Sequence, residues 1–249
     1  MTENVNYKAY VGPQENYDVM SAIQFIRLFQ LGLRETSTVL EIGAGSLRVA
    51  RILIPFLQPD RYYGVEPLRD VVEKGFQHEL GRDIVAIKRP KFAYNYNFDF
   101  SDLGLPGEGV DFCLAQSIFS HTSRAQMEQA VTNVSKVLKG IFLATYVKGR
   151  KDYDGNTWVY PECVRFTWET VQTIAGRNGL YVRAFNWIHP HDQTWIAFSK
   201  NKTQLDEIVE ADEALINQYV NTINELRSRI DRVKRILPAW LRYFIKYLR

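Results

Sequence analysis

The sequence predicts an α/β fold: a doubly wound, mostly parallel seven-stranded sheet with an antiparallel C-terminal hairpin, followed by a long C-terminal helix. Three observations carry this prediction. Val39-Leu40-Glu41-Ile42-Gly43-Ala44-Gly45 is an apolar strand that ends in acid-x-Gly-x-Gly and leads into a helical pattern. About twenty residues on, Arg61-Tyr62-Tyr63-Gly64-Val65-Glu66 is a second short strand ending in an acid. Strands and helices then alternate and finish in two strands separated by a polar turn, the pattern of parallel βαβ units closed by an antiparallel edge.

The elements follow in order. Asp18 is positioned to cap a helix carrying Val19, Ile23, Ile26 and Leu31, which ends near Gly32 and precedes the first strand, Thr38 to Ile42. A helical pattern runs through Leu53, where Pro55 kinks or ends it. Strand two, Tyr62 to Val65, leads to a helix with Leu68, Val71, Val72 and Phe76 on one face and Gly81 as its C-cap. Ile84 to Ile87 reads as a strand, and the aromatic run from Pro90 to Phe100 as an irregular approach to one. Val110 to Ala115 is a buried parallel strand. Ser123-x-x-Gln126 is a capping box that opens a helix through Leu138, with Gly140 as its stop and Ile141 to Val147 as the next strand. Thr167 caps a helix to about Arg177, and Leu180 to Trp187 with Thr194 to Ser199 form the terminal hairpin around Pro190.

The domain reading is therefore 1–200 for the sheet and 201–249 for a helical extension. From Leu205 to Leu237, apolar residues recur at alternating spacings of four and three, broken only by Asp212, the seam of a coiled coil. Residues 205–237 are thus expected to make a homo-oligomer; the competing reading is an amphipathic helix packed on its own domain. Residues 239–249 mix bulky apolar and basic side chains, suited either to a peripheral membrane interface or to packing on a partner subunit.

A composition of 46% hydrophobic and 24% charged residues is that of an ordinary soluble protein. Residues 227–249 carry eight Lys/Arg against one Asp, so the basic excess of a chain with net charge +3 sits in its tail. No nucleic-acid motif accompanies that tail, which argues against RNA or DNA as partner. Cys113 and Cys163 are too few for a disulfide framework or a cysteine-rich metal site. The first residues lack a signal pattern, and no apolar run approaches the roughly 18 residues needed to cross a bilayer. A cytoplasmic protein, with the tail at most peripheral at a membrane, is the expectation.

Three ligand classes compete for the glycine turn. A dinucleotide pyrophosphate requires G-x-G-x-x-G, and Arg48 stands at the third glycine position. A P-loop is excluded because no Gly-Lys-Ser/Thr follows. In the third reading, Glu41 at the strand end faces a cationic or hydroxyl-bearing ligand, while Glu66 accepts hydrogen bonds from ribose hydroxyls.

Residues 10–200 resemble the Rossmann-like (class I) S-adenosylmethionine-dependent methyltransferases. The resemblance rests on Glu41-Ile42-Gly43-Ala44-Gly45, on Glu66, on Asp99-Phe100 before the glycine-rich loop, on Asp111 to His121 and on the terminal hairpin. Leu47 departs from it, since many members carry a third glycine there. The resemblance implies S-adenosyl-L-methionine as cofactor, with Gly43 and Gly45 cradling its methionine and ribose portion and Glu66 holding the ribose hydroxyls. It also implies Asp99 at the adenine amino group with Phe100 beside the ring, and Gln116 and Ser117 lining the pocket. Asp102 is a rival for Asp99, and Phe100 has a core reading.

His121, just after the fourth strand where strand ends face the ligand crevice, is the candidate catalytic base; its alternative is a helix-capping or loop histidine. His189 and His191 form either a metal pair or a turn, and without a third ligand no metal is assigned. Arg48 either clamps an anionic acceptor or lies on the surface. The aromatic segment Tyr10 to Tyr17 is a lid over the cofactor or a plain loop, and the long segment 146–166 has the position of a substrate-recognition loop. The expected function is methyl transfer to oxygen or nitrogen of a small-molecule, lipid or glycan acceptor. The alternatives are an NAD(P)-dependent oxidoreductase and a non-catalytic oligomeric scaffold on a methyltransferase fold.

Overall fold

In the computed structural model, residues 7–208 are described, together with 221, 222, 224–226, 228, 229 and 232. The chain divides into two compact units, Met1–Val209 and Glu210–Arg249, and the sheet belongs to the first. The seam over 205–237 and the end 239–249 lie largely outside the described residues, so the long C-terminal helix is not supported beyond a short α7, Lys202–Asp206. That helix belongs to the sheet: Leu205 is buried, and Arg183 donates to the carbonyls of Leu205 and Ile208 at 2.7 and 3.0 Å.

Seven strands form one sheet in the order β3-β2-β1-β4-β5-β7-β6. They are β1 Val39–Ile42, β2 Tyr62–Val65, β3 Lys91–Ala93, β4 Val110–Ala115, β5 Leu138–Tyr146, β6 Tyr181–Phe185 and β7 Thr194–Ser199. The first five are parallel; β7 enters antiparallel between β5 and β6. The central strands are apolar runs buried along their length, as strands covered on both faces must be.

The remaining helices are α1 Tyr17–Gln30, α2 Ala50–Phe56, α3 Arg69–Gly75, α4 Gly81–Lys88, α5 Arg124–Val137 and α6 Trp168–Arg177. Leu40 and Ile42 share one hydrophobic core with Met127, Val131 and Val134 of α5 and Val171 and Ile174 of α6. The alternate residues Val39 and Glu41 point to the other face. The Ser123–Gln126 capping box is formed in both directions, and Thr167 accepts from the Thr170 amide.

Several expectations are corrected. Asp18 makes no cap; it lies in the first turn of α1 and pairs with Arg51 at 2.7 Å. Ile84 to Ile87 is helix α4; Gly81, at φ 77°, is the expected C-cap of the preceding helix, which ends in a π turn at Phe76–Leu80, and it also opens α4. The third strand is Lys91–Ala93 instead. Gly140 does not stop a helix: α5 ends at Val137, and Gly140 lies in β5, where a Cβ would stand 2.3 Å from the Asp111 carbonyl oxygen.

Candidate active site

Strand order reverses between β1 and β4, and the carboxyl ends of such strands flank a ligand crevice. The β1 turn puts Gly43 at φ 72° and Gly45 at φ 54°, conformations that glycine adopts without penalty. Both lie bare against the chain's own side chains. A Cβ on Gly43 would meet Ile118 Cδ1 at 2.1 Å, and one on Gly45 would meet Val11 Cγ1 at 2.3 Å.

Glu66, just past β2, is buried and turned toward this bend. Its Oε2 accepts from the Gly45 amide at 3.0 Å, and its Oε1 from the Tyr10 hydroxyl at 2.9 Å and the Leu68 amide at 3.2 Å. Burial raises its pKa, against the opposing pull of those donors. Glu41 lies deeper and accepts from the Tyr62 hydroxyl at 2.5 Å. Burial pushes its pKa up to about 8, with Tyr62 and Arg48 pulling it back and Glu66 adding to the rise.

At the β4 end, Gln116 Oε1 accepts from Gln24 and from Arg48, and its Nε2 reaches Ser117 Oγ and, at 3.0 Å, His189 Nε2. Ser117 sits at φ 57°, its amide donating to Thr145 Oγ1 at 2.8 Å and its hydroxyl accepting from Gln193 at 3.0 Å. Arg48 is not a surface residue: it is buried and donates to Gln116 and, at 2.6 Å, to the Val11 carbonyl, while its Nε has no partner among the described residues. His189 turns inward, and burial, with His191 and Arg48 nearby, drives its pKa to about 3.

The N-terminal 3-10 turn Tyr7–Val11 crosses this crevice. Tyr10 bonds Glu66 through its hydroxyl, and its carbonyl accepts from the Tyr160 hydroxyl at 3.3 Å. Tyr160 lies in the segment between β5 and α6, which is stitched to the end of β4 by Val159 N–H to His121 O and Val164 N–H to Ser120 O, both 2.8 Å. His121 itself is buried, with Nδ1 2.9 Å from the Val159 carbonyl and 3.0 Å from that of Glu162.

Thus Gly45 joins Glu66 and Gln116 joins Ser117 directly, Glu41 lies within electrostatic reach of Glu66, and Ile118, whose carbonyl accepts from the His121 amide, packs on Gly43. Asp99 makes no hydrogen bond to these residues. Asp99 is exposed in a turn, holding the Ser101 amide at 3.0 Å, and Phe100 packs into the core. Sequence reasoning missed Tyr10 as a partner of Glu66 and Gln24, Thr145 and Gln193 as partners of the β4 end. Of these only Tyr10 had a local signal, its aromatic, turn-rich segment.

No protein-family model matches the chain, and no curated protein sequence does. Solved structures do match. Magnesium protoporphyrin IX methyltransferase from Synechocystis with bound SAM is 11% identical, over 79% of this chain and 85% of that one, at a TM-score of 0.57. The DhpI–SAH complex is 14% identical over 79% and 90% (TM-score 0.54), and the glycopeptide N-methyltransferase MtfA 12% over 74% and 90% (0.54). The chain has the class I methyltransferase fold.

Proposed function

We propose that this protein is an S-adenosylmethionine-dependent methyltransferase. The observation that carries the reading is the Glu66 carboxylate at the end of β2, hydrogen-bonded to the Gly45 amide of the turn after β1. Two carboxylate oxygens beside a bare glycine backbone suit a ribose with its two hydroxyls. Gly43, Gly45 and Glu66 would hold the adenosyl and methionine portions, Gln116 and Ser117 would line the methyl end, and Glu41, neutral in the free protein, would ionise against the cofactor's positive charge. The fixed residues fit the group; Tyr10 and Val11, on one short turn, must shift to admit it. When bound, the cofactor supplies a methyl group activated by a sulfonium.

Arg48 weighs against a dinucleotide, because its side chain stands where a third glycine would permit close helix–strand packing. One observation favours a second reading, a non-catalytic scaffold: Val11 and Tyr10 sit against the cradle. Calorimetry with S-adenosylhomocysteine separates the two, since a scaffold with a permanently filled crevice gives no binding heat. From the seam alone we also propose that residues 205–237 self-associate, which the solution mass with and without 201–249 tests.

A further inference from the structure

We propose that the methyl acceptor binds at His121 between Trp158 and Tyr160, and that it presents a hydroxyl on a ring. The proposal rests on the methyltransferase reading for the fate of that hydroxyl, but the site itself is argued from its own geometry. Both oxygens near His121 Nδ1 are backbone carbonyls, which can only accept, so Nδ1 carries the proton and Nε2 the lone pair. Nε2 has no partner among the described residues, and it is absent from the buried polar atoms that lack one, so solvent reaches it. This is a tautomer fixed for proton acceptance at an accessible nitrogen.

The surroundings define what approaches. The Trp158 and Tyr160 rings have centroids 5.5 and 5.1 Å from the imidazole, and they are 43% and 51% exposed. Exposed aromatic faces on either side of a base offer stacking to a flat ring or to the C–H face of a sugar. Tyr10 joins this place to the cofactor crevice: its carbonyl meets Tyr160 and its hydroxyl meets Glu66, so one residue spans the two.

In the reaction this implies, the acceptor oxygen bonds to the methyl carbon as the carbon–sulfur bond breaks, the sulfur keeping that electron pair. The hydroxyl proton passes to His121 Nε2.

The test is ligand-observed saturation-transfer NMR on the full chain with 4-methylphenol, methyl β-D-glucopyranoside, 1-butanol and butylamine, followed by methyl-transfer assays with S-adenosylmethionine. A ring compound is expected to bind, and which one does separates a phenolic from a sugar acceptor. Trp158→Ala should reduce that signal at least fivefold while S-adenosylhomocysteine affinity holds, and His121→Gln should keep probe binding and slow transfer by about 10² or more. Binding or transfer confined to the acyclic alcohol or amine, no ring compound binding, or a ring signal unchanged in Trp158→Ala would each overturn the proposal. If the ring compound binds through Trp158 but S-adenosylhomocysteine does not bind at all, the acceptor site stands and the cofactor reading falls.

Discussion

The Tyr10 hydroxyl donates to Glu66 Oε1 at 2.9 Å, where a ribose hydroxyl would be expected to donate in a nucleoside complex. The tyrosine therefore competes with the cofactor for one carboxylate oxygen. Removing a hydrogen bond worth about 1 kcal/mol from the closed state should help the ligand. Tyr10→Phe is expected to bind S-adenosylhomocysteine about fivefold more tightly by calorimetry. Weaker binding would mean that Tyr10 supports the ligand instead.

The glycine turn should tolerate no side chain. Gly43→Ala and Gly45→Ala each impose a left-handed conformation costing roughly 1–2 kcal/mol, and each directs a methyl into Ile118 or Val11. Both variants should melt several degrees below the parent. Gly45→Ala should also lose affinity for S-adenosylhomocysteine, because it narrows the same approach.

Leu47 sits at φ 67°, the conformation a glycine would take freely, yet it is fully buried. A Cβ on Gly75 of α3 would lie 2.6 Å from Leu47 Cγ, so the missing side chain at 75 makes room for the leucine. Gly75→Ala should cost about 1–3 kcal/mol by overpacking. Leu47→Gly relieves the backbone but empties a core site, a loss of about 2–5 kcal/mol that outweighs the gain. In denaturant unfolding the double variant should be more stable than the sum of the two losses predicts.

Stability should peak between two buried titrations. His189 is held neutral with its pKa at about 3, below the ordinary 6.5, so its contribution is complete above pH 6.5 and is lost as pH falls toward 3. Glu41 has the opposite sign: raised from 4.5 to about 8, it contributes fully below pH 4.5 and loses that contribution as pH rises through about 8. The melting temperature should pass through a maximum near pH 6, with His189→Gln flattening the acid limb and Glu41→Gln the alkaline one. A melting temperature still rising at pH 9 would contradict the Glu41 assignment.

How far the sequence reaches depends on whether a feature is local. Strands β2 and β4 have the boundaries read from the residues, because a strand buried on both faces must be a continuous apolar run between turn signals. The capping box of α5 and the Thr167 cap of α6 are equally local. Ile84 to Ile87 misleads because α4 is short and only partly buried, so its apolar residues do not spread over enough turns to reveal a helical period. Strand β3 is three residues long with Lys91 exposed, too little for any pattern. At the candidate site, the positive-φ glycine bend at Gly43 and Gly45 was legible because one turn builds it. Tyr10 with Glu66, Arg48 with Gln116 and Gln116 with His189 meet across 56 to 73 residues, and no local spacing encodes such contacts.

The most direct test of the central claim is calorimetry of the full chain and its Glu66→Ala variant with S-adenosylhomocysteine. Saturable binding by the parent, weakened at least tenfold in the variant, is the predicted result. No binding heat with the parent, or equal affinity in the two, would contradict it.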